Sequence, residues 1–581
     1  MTTSSLEATN AASHGDPKNF TTELRRWAWI PLLVVALSTV GASWALSSPI
    51  GSSPDDDFHL ASIWCSPFAP DELCKPTEQL AADLDANMQG QLDGGVKLVR
   101  VPSRVGQEAL CFAFDPTVSA SCQRETVTEG FTETRANDGL YPNGLYTLFG
   151  VFVTSDAGRS VIVIRMVSFA LSMGLIVAAA AAVGRSLRQS YTLAVLATSI
   201  PLGVFLFSST NPSGVAVASV GSAFVCALGF LRSTSRRETT AVSLVGVTAV
   251  GLAVSSRADT GLYVAAACGC ALIFERAWRR QFWVRSMVLV VVALVGLISL
   301  MLSTQTSAAT DGIGGTDGLQ PLSALLWNNL LTLPALWVGS LGVGWGLGWL
   351  DTRLPDVVGM SMVAAAGGLL LWGLGDVRRS KLVAALAAVI TISFVPMWIL
   401  AADRRLVGES VQPRYLLPML PVLVTICLLP AQRGLRRLDR TQFVVLGCAF
   451  ALAQSIALHA NIRRYVSGQE LIGLDLNSQV EWWWPIGVSP MALWLIGSAA
   501  FAIVVVIALA KTTVDVHVTV EGIEGGTCED HLVDSTNLSE VSASEDQDIL
   551  PIEWDGEVAG PRSESNGSPE LEPSRSDERA K

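Results

Sequence analysis

Apolar runs close to the roughly twenty residues that cross a bilayer as a helix recur along almost the whole of this chain. The first is Trp27–Leu46, and others lie near 160–183, 191–208, 215–231, 241–255, 260–275 and 286–303. A second series follows near 357–375, 382–400, 414–430, 442–460 and 489–510. Backbone inside hydrocarbon must satisfy its own amides, and a helix does so within one segment. The expected fold class is therefore an all-α polytopic membrane protein with about twelve transmembrane helices. Composition agrees: half the residues are hydrophobic and 15% are charged, against roughly 25% charged in soluble domains.

Arginines set the expected orientation. Arg185 and Arg188 form one cluster, Arg232, Arg236 and Arg237 a second, and Arg276, Arg279, Arg280 and Arg285 a third. Arg378, Arg379 and Lys381, then Arg433, Arg436, Arg437 and Arg440, continue the series in alternate loops. Short loops with such charge stay in the cytoplasm, which places both termini inside and the membrane domain over 23–510. Residues 1–22 are polar and expected to be a disordered cytoplasmic N-terminus. Ala42 and Ala45 resemble a cleavage site, yet the first run exceeds the usual signal h-region of about 7–15 residues, which favours a retained anchor.

Two segments need separate treatment. Residues 512–581 hold 18 Asp+Glu and 4 Lys+Arg, leaving 33 acids and 35 bases elsewhere. The net charge of -12 thus belongs to the tail, whose composition cannot bury enough apolar surface to fold alone. Residues 511–581 are expected to be a disordered acidic cytoplasmic tail, and no nucleic-acid partner is expected. Residues 323–349 are apolar, but one further crossing there would break the alternation of loop charge. With Asn328, Asn329 and Pro334, the stretch is expected to be interfacial or re-entrant, within a second extracytoplasmic segment at 304–356.

The large loop at 47–158 carries Cys65, Cys74, Cys111 and Cys122. These could form two disulfides in an oxidising exterior, with three pairings open. They lack the paired CxxC spacing of a zinc site. At the start of that loop stands Ser53-Pro54-Asp55-Asp56-Asp57-Phe58-His59. On a helix, Asp55 and His59 share a face, and Asp56 can also meet His59. Packed carboxylates repel and raise one another's pKa, which suits a general base or a divalent-metal site. The competing reading is a helix N-terminus capped by Asp.

The expected topology puts further polar residues on the same outer side, among them Arg257, Asp351, Arg353, Arg404, Arg405 and Arg414. Any one arginine could simply pair with a neighbouring acid or a lipid phosphate. Several beside an acidic cluster would suit bidentate recognition of a lipid-phosphate substrate. Arg165 lies inside a span, where it is either functional or snorkels to the surface.

Pro54-Asp55-Asp56 followed by His59 resembles the Pro-Asp-Glu-x-x-His signature of the bacterial domain-of-unknown-function family 2142, with Asp56 in place of Glu. Gly348-Trp349-Leu350-Asp351-Thr352-Arg353-Leu354-Pro355 and Arg414-Tyr415-Leu416-Leu417-Pro418 also look like that family, and the likeness spans roughly 27–510. The family is similar in layout to GT-C glycosyltransferases. The resemblance implies a bacterial cytoplasmic (inner) membrane enzyme that transfers a sugar, with inversion, from a polyprenyl-phosphate donor to an envelope glycan or glycoprotein acceptor. Asp55 would be the general base, Asp56 would orient the acceptor or hold a cation, and His59 would contact donor phosphate or orient an aspartate. The outer arginines would stabilise the departing lipid phosphate. Two other readings stay open: a flippase or transporter of lipid-linked glycans, and a non-catalytic envelope-assembly scaffold.

Overall fold

Apolar sequence becomes helix almost throughout. The computed structural model describes residues 29–77, 95–277, 279–303, 321–409, 411–430 and 438–513. The N-terminal segment, the tail beyond 513 and the basic loop around Arg433 lie outside the described residues. The first helix, α1 (Trp29–Leu46), leads into α2 (Asp56–Trp64), and α3 (Gly144–Gly150) closes the large loop. The bundle continues with α4 (Ala157–Ala182), α5 (Arg185–Ser199), α6 (Leu202–Phe207), α7 (Ser213–Arg232), α8 (Arg236–Ser256), α9 (Asp259–Phe274) and α10 (Arg280–Met301). Next come α11 (Leu322–Thr332), α12 (Pro334–Gly339), α13 (Asp356–Leu374) and α14 (Arg379–Ala402). The last are α15 (Pro413–Leu428), α16 (Arg440–Ser467) and α17 (Pro490–Thr513).

Among the described residues ten helical stretches are long and apolar enough to cross a membrane, and α9 and α15 are shorter apolar helices. This is an all-α polytopic membrane protein. The expected span at 191–208 is instead broken. α5 ends at Ser199, and Pro201, which lacks an amide to continue the ladder, separates it from the six-residue α6. α5 also begins with Arg185, Arg188, Gln189 and Ser190, too polar for a hydrocarbon crossing. The stretch expected to lie along the interface forms α11 and α12, whose eighteen residues Leu322–Gly339 also have the length and composition of a span.

α7 is the axis of the bundle and is buried almost throughout, whereas most of α8 and α10 is not. The outer helices present apolar side chains such as Leu244, Val247, Met287 and Leu371 outward, as lipid-facing surfaces do. Local rules fix several ends. Ser235 with Glu238, and Asp439 with Gln442, form capping boxes at α8 and α16, satisfying first-turn amides that have no helical partner. Gly261 of α9 faces Gly296 of α10 so closely that a methyl on either would strike the other's backbone, the small-residue contact that lets membrane helices approach.

The large loop folds around a three-stranded antiparallel sheet in the order β1 (Lys75–Pro76), β2 (Val96–Pro102), β3 (Phe131–Asn137). Leu98 pairs with Arg135 and Val99 with Thr134. Val99, Val101 and Ala136 join Phe58, Ile63, Trp64, Tyr146 and Phe149 in a core under α2. Disulfides join Cys65 to Cys74 and Cys111 to Cys122. The loop is thus a packed platform that carries α2 at the edge of the bundle.

Candidate functional site

The turn before α2 decides what the aspartates do. Asp55 occupies the N-cap position in the left-handed conformation (φ 57°), and its side chain caps no amide. A non-glycine residue there is strained, and such strain is held in place by surrounding contacts. The contacts are abundant. Arg165, 1% exposed, donates to the carbonyls of Ala45, Ser48 and Pro49 at 3.1, 2.8 and 2.6 Å and to Ser52 Oγ at 2.8 Å. Trp349 Nε1 donates to Gly51 O at 2.8 Å, and Asn211 Nδ2 to Pro54 O at 2.8 Å.

The three aspartates then diverge. Asp55 Oδ2 accepts from Arg414 Nη2 at 2.6 Å. Asp56 turns back into the preceding loop, accepting from the Ser53 amide at 2.9 Å and from the Thr210 hydroxyl. Asp57 accepts from Arg135 Nε on β3 at 2.7 Å. His59 does not meet Asp56. Its Nδ1 lies 2.8 Å from the Tyr146 hydroxyl, and its ring packs edge-on against Phe58 and Tyr141.

Arg257 and Arg414 come from distant parts of the chain to this cluster. Arg257 grips Asp259 through Nε and Nη2 at 2.9 and 2.8 Å and donates to Ser213 Oγ at 3.0 Å. The Tyr415 ring centroid lies 4.6 Å from the Arg257 guanidinium and 5.2 Å from that of Arg414, so one aromatic ring serves both cations. Arg414 is 4% exposed, whereas Asp55 retains 35% exposure. Among the described residues Arg414 Nε and Nη1 find no hydrogen-bond acceptor. A buried guanidinium with two idle donors is costly unless an acceptor reaches it.

The electrostatics separate the roles. Burial pulls the Asp55 pKa upward, but Arg414 and neighbouring positive groups outweigh it and hold the carboxyl below its ordinary value. Burial raises Asp56 to about 6 and drives His59 down to about 3. At neutral pH the cluster therefore offers an ionised Asp55, a neutral imidazole and fixed guanidiniums. Burial also lifts the Tyr141 and Tyr146 phenols well above their ordinary value, so both remain hydroxyls.

Four expected site residues are not brought to this cluster by any described contact. Asp351 accepts from Arg464 Nη2 at 2.9 Å and from the Phe114 amide at 3.1 Å, a buried tie between the platform and α16. Arg353 is exposed, and its backbone amide meets Gln469. Arg404 is exposed in a left-handed turn, and the Arg405 carbonyl accepts from Asn329. The cation role raised for Asp56 finds no fit. Its oxygens are engaged by Ser53 and Thr210, and among the described residues no group of three or more His, Cys, Asp or Glu could hold a metal ion.

These features define a polytopic helical membrane protein with an ionised carboxylate, two guanidiniums and an aromatic wall gathered at one end of its bundle. The family model described as predicted membrane protein, DUF2142, matches residues 38–423, and the chain belongs to that family. No curated protein and no solved structure matches it.

Proposed function

We propose that this protein is an integral membrane glycosyltransferase that moves a sugar from a polyprenyl-phosphate donor to a cell-envelope acceptor on the outer face of the bacterial inner membrane. The observation that carries this reading is Arg414: one nitrogen holds Asp55, while two more, buried beside Arg257 and Tyr415, await an acceptor. A phosphate oxygen is the acceptor a planar guanidinium best matches.

The chemistry follows from that placement. The acceptor hydroxyl attacks the anomeric carbon from the side opposite the phosphate and gives its proton to Asp55. The bond between that carbon and the phosphate oxygen breaks, and polyprenyl phosphate leaves with the electron pair. Arg414 and Arg257 stabilise the charge that develops on the departing group, the contribution expected of fixed cations in a water-poor site. Phosphate arriving at Arg414 also draws its field away from Asp55, which returns the carboxylate toward ordinary basicity when a base is needed. His59, neutral and held by Tyr146, lines the site without adding charge.

The test is sugar transfer by purified protein from a polyprenyl-phosphate donor. Asp55→Asn keeps the shape and the acceptor for Arg414 but removes the base, and should abolish transfer. Full transfer by a folded Asp55→Asn protein would refute the reading.

A further inference from the structure

α7 runs from Ser213, which touches Arg257, to Arg232. Its twenty residues span about 30 Å at 1.5 Å per residue. At this far end, between the ends of α4, α7 and α9 and the starts of α5, α8, α10 and α14, lies a cavity of about 840 Å³. Arg185, Arg232, Arg276, Arg279, Arg285 and Arg378 line it, against two acids, Glu238 and Glu275.

Both acids are already committed. Glu238 accepts from the amides of Thr234 and Ser235 in the α8 capping box. Glu275 is held by Arg232 at 2.6 Å and lies 3.9 Å from Arg378. The positive excess is also fixed in place. Arg285 Nη1 donates to Ser233 O at 2.8 Å, and Arg378 Nη2 donates to Phe274 O at 2.8 Å while its guanidinium stacks on that ring. Arg378 Nε is buried with no acceptor among the described residues. Apolar side chains complete the wall, including Phe282 of α10. The same helix presents Trp283, Val284, Met287 and Val291 outward, so an acyl chain could lie along α10 with its head in the cavity.

We infer that this cavity is a second anion site, built for the phosphate of an amphiphile's headgroup, at the end of the bundle opposite Asp55. Basic pockets between membrane helices bind anionic headgroups through such charge. Retention of arginines at cytoplasmic loops accounts for their sign but not for the convergence of six on one cavity with two acids in its wall. The inference stands independently of the transferase reading.

The test uses the full chain in detergent, with lipid retention followed by native mass spectrometry. Wild-type protein should keep one phosphatidylglycerol in preference to phosphatidylcholine. The exposed pair Arg185→Gln with Arg279→Gln should weaken that retention about thirtyfold, the effect of two surface charges near an anionic head. Arg185→Lys with Arg279→Lys should retain it. Arg440→Gln removes an exposed arginine outside the cavity and should change nothing. Pyrophosphate that binds alone and displaces the lipid would confirm the phosphate chemistry but assign the site to a soluble ligand. Equal retention of both lipids, or equal loss in Arg440→Gln, would overturn the site. The wild-type lipid preference and the lysine pair decide the matter even if the glutamine pair fails to fold.

Discussion

Asp55 and Arg414 lie 359 positions apart in the chain, yet their side chains meet at 2.6 Å. The contact ties the turn before α2 to the start of α15. A carboxylate so placed is ionised and oriented, and its partner keeps donors in reserve. Loss of a positioned general base lowers rates by about a hundred- to ten-thousandfold, so Asp55→Asn should reduce transfer by that range. Asn still accepts from Arg414 but leaves that buried guanidinium without its counter-charge, so the unfolding midpoint should also fall, and transfer is compared below it. Transfer and thermal unfolding measured on one preparation check both halves.

Arg414→Gln probes the other partner. Removing one electrostatic donor from a developing oxyanion costs about a hundred- to thousandfold. The loss should therefore appear in both turnover and donor affinity. Arg414→Lys keeps the charge but cannot serve Asp55 and a phosphate from one planar fork, so it should recover only part of the activity. Rates against donor concentration for the three proteins test this ordering.

His59 and Asp56 give responses to acid of opposite sign. Folded His59 takes its proton at about 3 and the unfolded side chain at 6.5. The unfolded state holds more protons between those values, so stability is lost as pH falls from 6.5 toward 3. Asp56 takes its proton at about 6 when folded and at 3.8 when unfolded. Its contribution is complete below 3.8 and is lost as pH rises through 6. Between pH 6 and 4 the two slopes cancel. His59→Gln should therefore gain stability on acidification across that window, by roughly 3 kcal/mol, while Asp56→Asn should lose a similar amount. Unfolding midpoints of both variants against pH check the signs, and parallel curves would contradict them.

The disulfides Cys65–Cys74 and Cys111–Cys122 have sequence separations of 9 and 11. Closing loops of that size stabilises by roughly 2–3 kcal/mol each. Reduction should lower the unfolding midpoint and expose four further thiols to alkylation, counted by mass. In whole cells the same count checks sidedness, because the pairs persist only where the platform meets an oxidising compartment.

Much of this architecture could be read from the chain. Runs of apolar residues have one stable state in hydrocarbon, so the helical body followed directly. The break at Pro201 was not read: apolar residues on both sides of the proline gave one expected span at 191–208, although proline cannot continue the amide ladder. The site was legible only in part. Asp55, His59, Arg257 and Arg414 stood out because charge near a membrane is costly. Their pairing did not, because contacts across hundreds of residues leave no trace in local spacing. Tyr141, Tyr146 and Thr210 gave no local signal: a tyrosine or threonine in an apolar chain looks like ordinary packing until its hydroxyl has a neighbour. Asp351 shows the converse, a conspicuous acid whose use is a buried tie to Arg464.

Arg165 offers the sharpest separation of architecture from chemistry. Its guanidinium serves three backbone carbonyls and Ser52 Oγ within the turn that ends at Asp55. Arg165→Met would strand those acceptors in a buried site, and each buried acceptor left without a partner costs about 1–3 kcal/mol. A large fall in unfolding midpoint is expected. Arg165→Lys keeps three donors on a single nitrogen but cannot reach four acceptors spread from Ala45 to Ser52. It should regain more stability than transfer activity, because the Asp55 carboxylate is set by where Ser52 sits three residues earlier. Equal recovery of both would mean that the turn tolerates displacement and that Asp55 does not depend on Arg165 for its position.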